Sequence, residues 1–183
     1  MKKYNIIYAD PPWSYSTWKN KETRTADSHY HTMALDDIKK LNLSVLTDKD
    51  CALFLWTTAP HLQNAFDVIK AWGFNYKTIA FTWIKKNKKT DSLFWGLGHW
   101  TRSNSELCLL ATCGKPKRIN RSIHQVIISK IEAHSKKPDE VRNRIVNLLG
   151  DLPRVELFAS QKHDDWDVIG DMIDGKDIKD LLK

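Results

Sequence analysis

The sequence has few of the residues and patterns that mark secreted, metal-binding or membrane proteins. Its 183 residues include only three cysteines, at positions 51, 108 and 113, and their spacing is not that of a metal site. No apolar run approaches the roughly 20 residues that cross a membrane, and the four-residue run before Asp10 is too short for a signal peptide. These absences argue against a disulfide-stabilised or membrane protein and predict a cytoplasmic one.

Glycine is scarce as well, and the glycine-rich loops that cradle phosphates are missing. Of the seven glycines, only Gly96 and Gly98 form a fragment of a G-x-G pattern. No serine or cysteine occupies a nucleophile-elbow pattern. His29 and His31 have the spacing of one strand face, but no further ligands stand near them, so we predict no metal site. The chain therefore lacks the signatures of P-loop enzymes, serine hydrolases and metalloenzymes.

Tryptophan and positive charge are present in quantity. The chain contains eight tryptophans, and 29 Lys and Arg against 22 Asp and Glu give a net charge of +7. Such a charge suits a polyanionic partner, although a soluble basic surface accounts for it equally well. Two basic clusters, at 85–89 and 115–121, follow predicted strands, so we expect both on loops where they contact phosphates.

Apolar runs alternate with helical patterns along the whole chain. The runs lack strict alternation, which is typical of strands buried on both faces of a mainly parallel sheet. We predict one domain over residues 1–183, a three-layer α/β sandwich whose ligands bind beyond the carboxyl ends of the strands. The predicted strands are 6–9, 52–56, 107–111, 126–128 and 155–158, and the predicted helices are 35–41, 60–73 and 138–150.

The tetrapeptide Asp10-Pro11-Pro12-Trp13 follows the first predicted strand. Its prolines fix φ and remove two donors, so the turn presents carbonyl oxygens, to which Asp10 adds a carboxylate and Trp13 a flat face. Such acceptors can take both protons of a planar amine, which turns the nitrogen lone pair toward an electrophile. The exocyclic amine of a nucleobase has this shape. A rigid corner capped by a packed tryptophan accounts for the same residues without chemistry.

Five further blocks stand in order behind this "ADPPW" block. Together the six resemble the S-adenosylmethionine-dependent adenine methyltransferases, the family of the messenger-RNA adenosine methyltransferase and its bacterial and phage relatives. The resemblance runs from about Ile6 to Met172 and implies a Rossmann-like sheet in the permuted, beta-class-like order of the amino-methyltransferases. The further blocks are "HYHTMALDDIKKL" at 29–41, "LFLWTT" at 53–58, "GHWTRSNSELCLLATCGKP" at 98–116, "HSKKPDE" at 134–140, and "RVELFA" with "DDWDVIGD" between 154 and 171.

The resemblance implies a role for each member of the tetrapeptide and for several residues around the target base. Asp10 and the Pro11 carbonyl would bind the 6-amino group of adenine, Pro12 would complete the catalytic turn, and Trp13 would stack on the base. A base in a duplex would have to be flipped out, which a single strand largely avoids. The further implied substrate contacts are Tyr30, His99, Trp100, Arg102, Glu106 and Lys137, each with packing or loop support as the alternative.

The resemblance also implies a binding site for S-adenosylmethionine. Asp10 would lie near the methionine end of the cofactor, and Lys137 near its carboxylate, beside the free backbone amides of a helix that begins at Pro138. Ser160 replaces a common family arginine, and Asp171 a common asparagine, so the site departs from the family in detail. The further implied cofactor contacts are Ser135, Glu156, Phe158, Lys162 and His163, together with the two replacements Ser160 and Asp171.

These inferences predict an enzyme that methylates adenine in DNA. DNA is preferred over RNA because of the small size of the chain and its resemblance to short bacterial and phage members. An RNA substrate is one alternative, and a non-catalytic nucleic-acid-binding relative is another. The intact tetrapeptide and Lys137 argue against the non-catalytic alternative, whereas Ser160 slightly favours it. A homodimer or a partner subunit would help so small a chain to grip its substrate.

Overall fold

The computed structural model describes residues 1–14, 32–98, 100–132, 136–170, 173 and 178–182. In this part of the chain seven strands form one sheet, and helices pack on it. The strands are β1 (Tyr4–Ala9), β2 (Thr47–Thr57), β3 (Asn75–Lys86), β4 (Glu106–Cys113), β5 (Val126–Lys130), β6 (Arg154–Leu157) and β7 (Asp167–Ile169). The α-helices are α1 (Leu35–Lys40), α2 (Leu62–Ala71), α3 (Glu140–Leu149) and α4 (Ile178–Leu181), with 3-10 turns at Leu43–Val45 and Ala59–His61.

The sheet has the order β5-β3-β4-β2-β1-β6-β7. Strand β4 runs antiparallel to both of its neighbours, and every other neighbouring pair is parallel. Six strands therefore point one way, which confirms the predicted mainly parallel sheet. The carboxyl ends of these six strands and the amino end of β4 share one edge of the sheet. Polar residues that follow or begin these strands are brought together there.

Both faces of the sheet are buried. Successive residues of β1 and β2 point to opposite faces, so each strand contributes to two cores. Ile7 and Leu53 pack in a core with α1, α2 and α4. Ile6 and Phe54 pack in a second core with α3. The helices thus lie on both sides of the sheet, and the three layers are those of the predicted Rossmann-like α/β sandwich.

Helix α1 begins at Leu35 as the sequence predicts, whereas α2 and α3 begin two residues later than predicted. Pro60 lies in the 3-10 turn that precedes α2, and Pro138 lies just before α3. The indole nitrogen of Trp72, at the end of α2, donates to the backbone oxygen of Ile38 at 2.8 Å and so fixes α2 against α1. Among the described residues, no helix is long and apolar enough to cross a membrane.

Candidate active site

Four charged side chains meet at the edge where the six parallel strands end. The Nζ atom of Lys137 lies 2.6 Å from Oδ2 of Asp10 and 3.3 Å from Oε2 of Glu106. The other carboxylate oxygen of Glu106 accepts a hydrogen bond from Nζ of Lys85. The Lys137 side chain is only 9% exposed, whereas the Asp10 side chain is 30% exposed. Two carboxylates and two ammonium groups therefore alternate in one partly buried network, which we call the Asp10 network.

Burial and the neighbouring charges shift the pKa values of the Asp10 network in opposite directions. Burial raises the pKa of Asp10, and the Lys137 cation reverses only part of this rise. Burial would raise the pKa of Glu106 too, but Lys137 and Lys85 together lower it. For Lys137, burial alone would lower the pKa, whereas the charges of Asp10 and Glu106 raise it. The network therefore shifts its two carboxylates in opposite directions, the pKa of Asp10 upward and that of Glu106 downward.

The strand pairing explains why Asp10 and Glu106 come together. Ala9, the last residue of β1, is paired with Leu55 of β2 on one side and Leu157 of β6 on the other. Asp10 follows directly at the edge of the sheet. Glu106 begins the reversed strand β4, where it is paired with Trp83. One carboxylate thus comes from the end of a strand and the other from the beginning of an antiparallel one.

The prolines form the corner after Asp10 that the sequence predicts. The backbone nitrogen of Trp13 donates to the Pro11 oxygen at 2.8 Å, and that of Met33 donates to the Pro12 oxygen at 2.9 Å. A carbonyl oxygen has two lone pairs, so the Pro11 oxygen keeps capacity for one further donor. Its predicted contact with an amine stays a prediction.

Trp13 is packed into this corner. Its side chain is buried, its indole nitrogen donates to the Trp56 oxygen at 3.1 Å, and its ring stacks on His61 with 5.7 Å between centroids. These contacts are those of the packed-corner alternative. The predicted stacking of Trp13 on adenine stays a prediction, and one face of the ring is already in contact with His61.

Glu156, a predicted cofactor contact, binds the guanidinium group of Arg142. Nε of Arg142 donates to Oε2 of Glu156 at 2.8 Å, and Nη2 donates to Oε1 at 2.9 Å. Both residues are buried, and Arg142 also donates to Asp139 at 3.0 Å. Both carboxylate oxygens of Glu156 thus already accept hydrogen bonds, and its cofactor role stays a prediction.

The other predicted cofactor residues of this region follow β6. Phe158 has a φ of 60° and packs partly against the core. Ser160 and Lys162 are exposed, and His163 is half-buried, with its Nε2 4.0 Å from Glu156. His163 also lines a cleft of about 460 Å³ on the α3 side of the sheet, together with Arg142, Arg154 and Trp166.

The remaining predicted substrate and cofactor residues divide into three groups. Glu106 and Lys137 belong to the Asp10 network. Trp100 and Arg102 are exposed on the connection between β3 and β4. Four predicted site residues lie outside the described part of the chain, namely Tyr30, His99, Ser135 and Asp171.

Sequence reasoning missed Lys85 and Arg142. Lys85 stands in a basic cluster that was interpreted as a phosphate-binding loop, although it belongs to β3 and binds Glu106. Arg142 lies three residues before Ile145, within the apolar stripe of α3, and this position was a signal of burial that the prediction did not use. The second basic cluster begins at Lys115, whose backbone nitrogen donates to the carboxylate of Asp50. Asp50 lies near the amino end of β2, at the edge of the sheet opposite the Asp10 network.

A mixed sheet with one reversed strand, helices on both faces and a carboxylate directly after β1 defines a Rossmann-like methyltransferase domain. The model of the MT-A70 family matches residues 4–172, so the chain belongs to the MT-A70 family. This finding confirms the resemblance that the six sequence blocks indicate.

Two kinds of relative are similar to the chain. The type II methyltransferase M.MunI of Mycoplasma sp is 34% identical over 184 residues, which cover 91% of this chain and 76% of that protein. The N(6)-adenosine-methyltransferase subunit METTL3 of Danio rerio is 29% identical over 177 residues, which cover 94% of this chain and 28% of that protein. The human catalytic subunit METTL3 is likewise 29% identical, and this chain spans only 29% of its length.

Proposed function

We propose that residues 1–183 act as one methyltransferase domain that transfers a methyl group from S-adenosylmethionine to the 6-amino group of adenine in DNA. The observation that carries this proposal is the Asp10 network at the carboxyl edge of the sheet, where ligands of such folds bind. Membership of the MT-A70 family and the similarity to an N(6)-adenosine-methyltransferase subunit support the reaction type.

The charges at this edge fit the methionine end of the cofactor. That end carries an ammonium and a carboxylate, and the side chains of Asp10 and Lys137 offer the complementary pair of charges 2.6 Å apart. Lys137 also lies just before α3, whose first backbone amides favour an anion. When bound, S-adenosylmethionine supplies an electrophilic methyl group on a sulfonium sulfur.

The protein's contribution to the reaction is to hold the amine and to accept its protons. An ionised Asp10 accepts one hydrogen bond from the amine, and the second lone pair of the Pro11 oxygen accepts the other. Burial raises the pKa of Asp10, so this carboxylate is a stronger proton acceptor than an exposed aspartate. Asp10 can therefore receive the proton that the nitrogen loses on methylation. Lys137 keeps Asp10 in place and limits its protonation at neutral pH.

DNA is the proposed polymer because the chain covers most of its bacterial relative. It spans 76% of the Mycoplasma type II methyltransferase but only 28% of the fish METTL3 subunit. The net charge of +7 suits any nucleic acid and does not separate the two polymers. RNA is the alternative substrate, and a non-catalytic nucleic-acid-binding protein is the alternative function.

Transfer of a labelled methyl group tests the proposal directly. The purified chain is incubated with labelled S-adenosylmethionine and single-stranded DNA, duplex DNA or RNA, and the nucleosides are identified by mass spectrometry. We expect N6-methyladenine in DNA, none with Asp10→Ala, and unchanged transfer with the control Asp36→Asn, an exposed acidic residue of α1. Label in RNA alone would make the DNA assignment wrong. No label in any polymer, with no calorimetric binding of S-adenosylmethionine, would favour the non-catalytic alternative.

A further inference from the structure

The connection between β3 and β4 carries large apolar side chains that point into solvent. We call its described residues, 87–98 and 100–105, the β3–β4 arm. Trp100 is 99% exposed and Trp95 is 56% exposed, and Leu97 between them is also exposed. Tryptophan is mostly buried in folded proteins, and clustered exposed apolar residues mark interaction sites. The β3–β4 arm therefore presents a binding surface.

Hydrogen bonds fix the base of this arm to β3. The Asn104 side chain accepts from the backbone nitrogen of Lys85 at 2.9 Å and donates to the Lys85 oxygen at 2.9 Å. The backbone nitrogen of Phe94 donates to the same oxygen at 2.9 Å, and the Gly96 nitrogen donates to the Ser103 oxygen at 2.6 Å. The arm is thus held in one arrangement before it meets a partner, which reduces the entropy cost of binding.

The tip of the arm requires a glycine. Gly98 has a φ of +58°, and a Cβ atom there would lie 2.0 Å from the backbone oxygen of Thr101. Only glycine adopts this conformation so close to another backbone without strain. Trp100 lies two residues after this glycine and is exposed.

The arm rises from the rim of the candidate active site and is positively charged. Lys85 at its base binds Glu106, which in turn lies 3.3 Å from Lys137 of the Asp10 network. The arm itself contains three basic residues, Lys88, Lys89 and Arg102, and one acidic residue, Asp91, which pairs with Lys86 of β3 at 2.8 Å. A polyanion is therefore favoured over an apolar protein surface as the partner of these tryptophans.

We propose that the β3–β4 arm is a stacking platform for an unpaired nucleobase next to the target adenine, with Trp100 as the main stacking ring. The inference rests on the proposed function, because the neighbouring Asp10 network is where the target amine would be held. A flat aromatic face stacks on any base, while the lysines and Arg102 of the same segment attract the phosphates. The arm thus selects strands whose bases are unstacked beside the target.

Binding of a single-stranded DNA oligonucleotide with one central adenine tests this inference without the cofactor. A 2-aminopurine beside the adenine reports stacking through quenching of its fluorescence, and anisotropy of an end label reports affinity. We expect Trp100→Ala to remove the quenching and to weaken binding by about 5- to 150-fold, as the loss of one base–aromatic stack does. Trp100→Phe keeps an aromatic face and should stay within about fivefold of the wild type. Leu97→Ala, the matched control on the same arm, should change affinity by less than about twofold.

An oligonucleotide with an abasic site in place of the 2-aminopurine supplies the decisive comparison. The wild-type chain should bind it more weakly than the intact strand, whereas Trp100→Ala should bind both equally. Equal losses for Leu97→Ala and Trp100→Ala would overturn the proposal, since apolar bulk would then account for binding. A change from dimer to monomer in Trp100→Ala, with unchanged DNA affinity, would assign the arm to an interface between copies and overturn it too.

Methyl transfer measured on the same oligonucleotides separates this inference from the proposed function. A wild-type chain that shows the stacking effect but transfers no methyl group contradicts the proposed reaction and supports the stacking platform. A chain that methylates adenine equally well with Trp100→Ala, at DNA concentrations below saturation, supports the reaction and overturns the platform.

Discussion

Replacement of Lys137 by methionine should destabilise the protein through the two carboxylates that it leaves behind. Methionine keeps an unbranched apolar stem in place but removes the ammonium group that lies within 3.3 Å of both Asp10 and Glu106. Removing one partner of a buried ion pair costs about 3–5 kcal/mol, because the remaining charge stays buried without compensation. Asp10 is 30% exposed, so water solvates part of its charge, and we expect a loss near the lower limit, about 3 kcal/mol.

The pH dependence of this loss follows from the pKa shifts. In the wild type the pKa of Glu106 is lowered, so its contribution to stability is present at neutral pH and is lost as the pH falls through that lowered pKa. Without Lys137, burial raises the pKa of Asp10 further, because the cation that opposed this rise is gone, and Asp10 then destabilises the folded state increasingly as the pH rises, whereas Glu106 keeps Lys85 as a partner. The difference in stability between wild type and Lys137→Met should therefore shrink on going from about pH 7 to about pH 5.

Urea denaturation followed by tryptophan fluorescence at both pH values measures the effect. For a chain of this size a loss of about 3 kcal/mol also lowers the melting temperature by about 6–12 °C. Lys136→Met is the matched control, because in the described part of the chain this neighbouring lysine pairs with the half-exposed carboxylates of Glu132 and Asp139, and its loss should cost about 0–1 kcal/mol. A loss for Lys137→Met no larger than that of the control, or one independent of pH, would refute the reasoning.

Three further predictions concern the same part of the sheet. Methyl transfer should decline on acidification at a pH above the usual pKa range of aspartate, because burial raises the pKa of Asp10. A pH profile of kcat that stays flat down to that usual range contradicts the role of Asp10 as proton acceptor. Arg142→Met should lower the free energy of unfolding in urea by about 3–5 kcal/mol, since it leaves the buried Glu156 without its guanidinium partner. Adding Glu156→Leu should recover much of the loss, and an absence of recovery would show that the two residues are not coupled. Trp13→Phe should cost about 1 kcal/mol in the same assay through the lost hydrogen bond to the Trp56 oxygen, and an unchanged stability would show that this bond contributes nothing.

The position of Asp10 was readable from the sequence, whereas its partners were only partly so. A continuous apolar run before Asp10 predicts a buried strand, and the rule for parallel sheets then places the carboxylate at the ligand edge. The resemblance to a known family added Lys137 and Glu106. Lys85 was missed because its position among other lysines indicated a surface loop, while the structure pairs it with Glu106 across β3 and β4.

The direction of β4 and the extent of β3 were not predictable from the same pattern. A run such as Leu107–Ala111 is apolar because both of its faces are buried, and this burial is the same for either strand direction. Strand β3, at Asn75–Lys86, begins with four exposed residues and ends among lysines, so the short apolar stretch at 79–84, interrupted by Thr82, does not reveal its full length. Its place in the sheet depends on tertiary pairing with β4 and β5.

Because β4 runs antiparallel to β3, the position of Glu106 at the start of β4 does not depend on the length of the connection that precedes it. The backbone of Glu106 is fixed by its pairing with Trp83, and that of Leu107 beside it by Thr57 of β2, so the sheet determines where the Glu106 side chain begins. The β3–β4 arm leaves and re-enters the sheet at two adjacent strands, as the loop of a long hairpin does. An arm of different length or sequence between the same two strands therefore leaves the backbone position of Glu106 unchanged, so the proposed stacking platform can vary independently of the sheet that carries the Asp10 network.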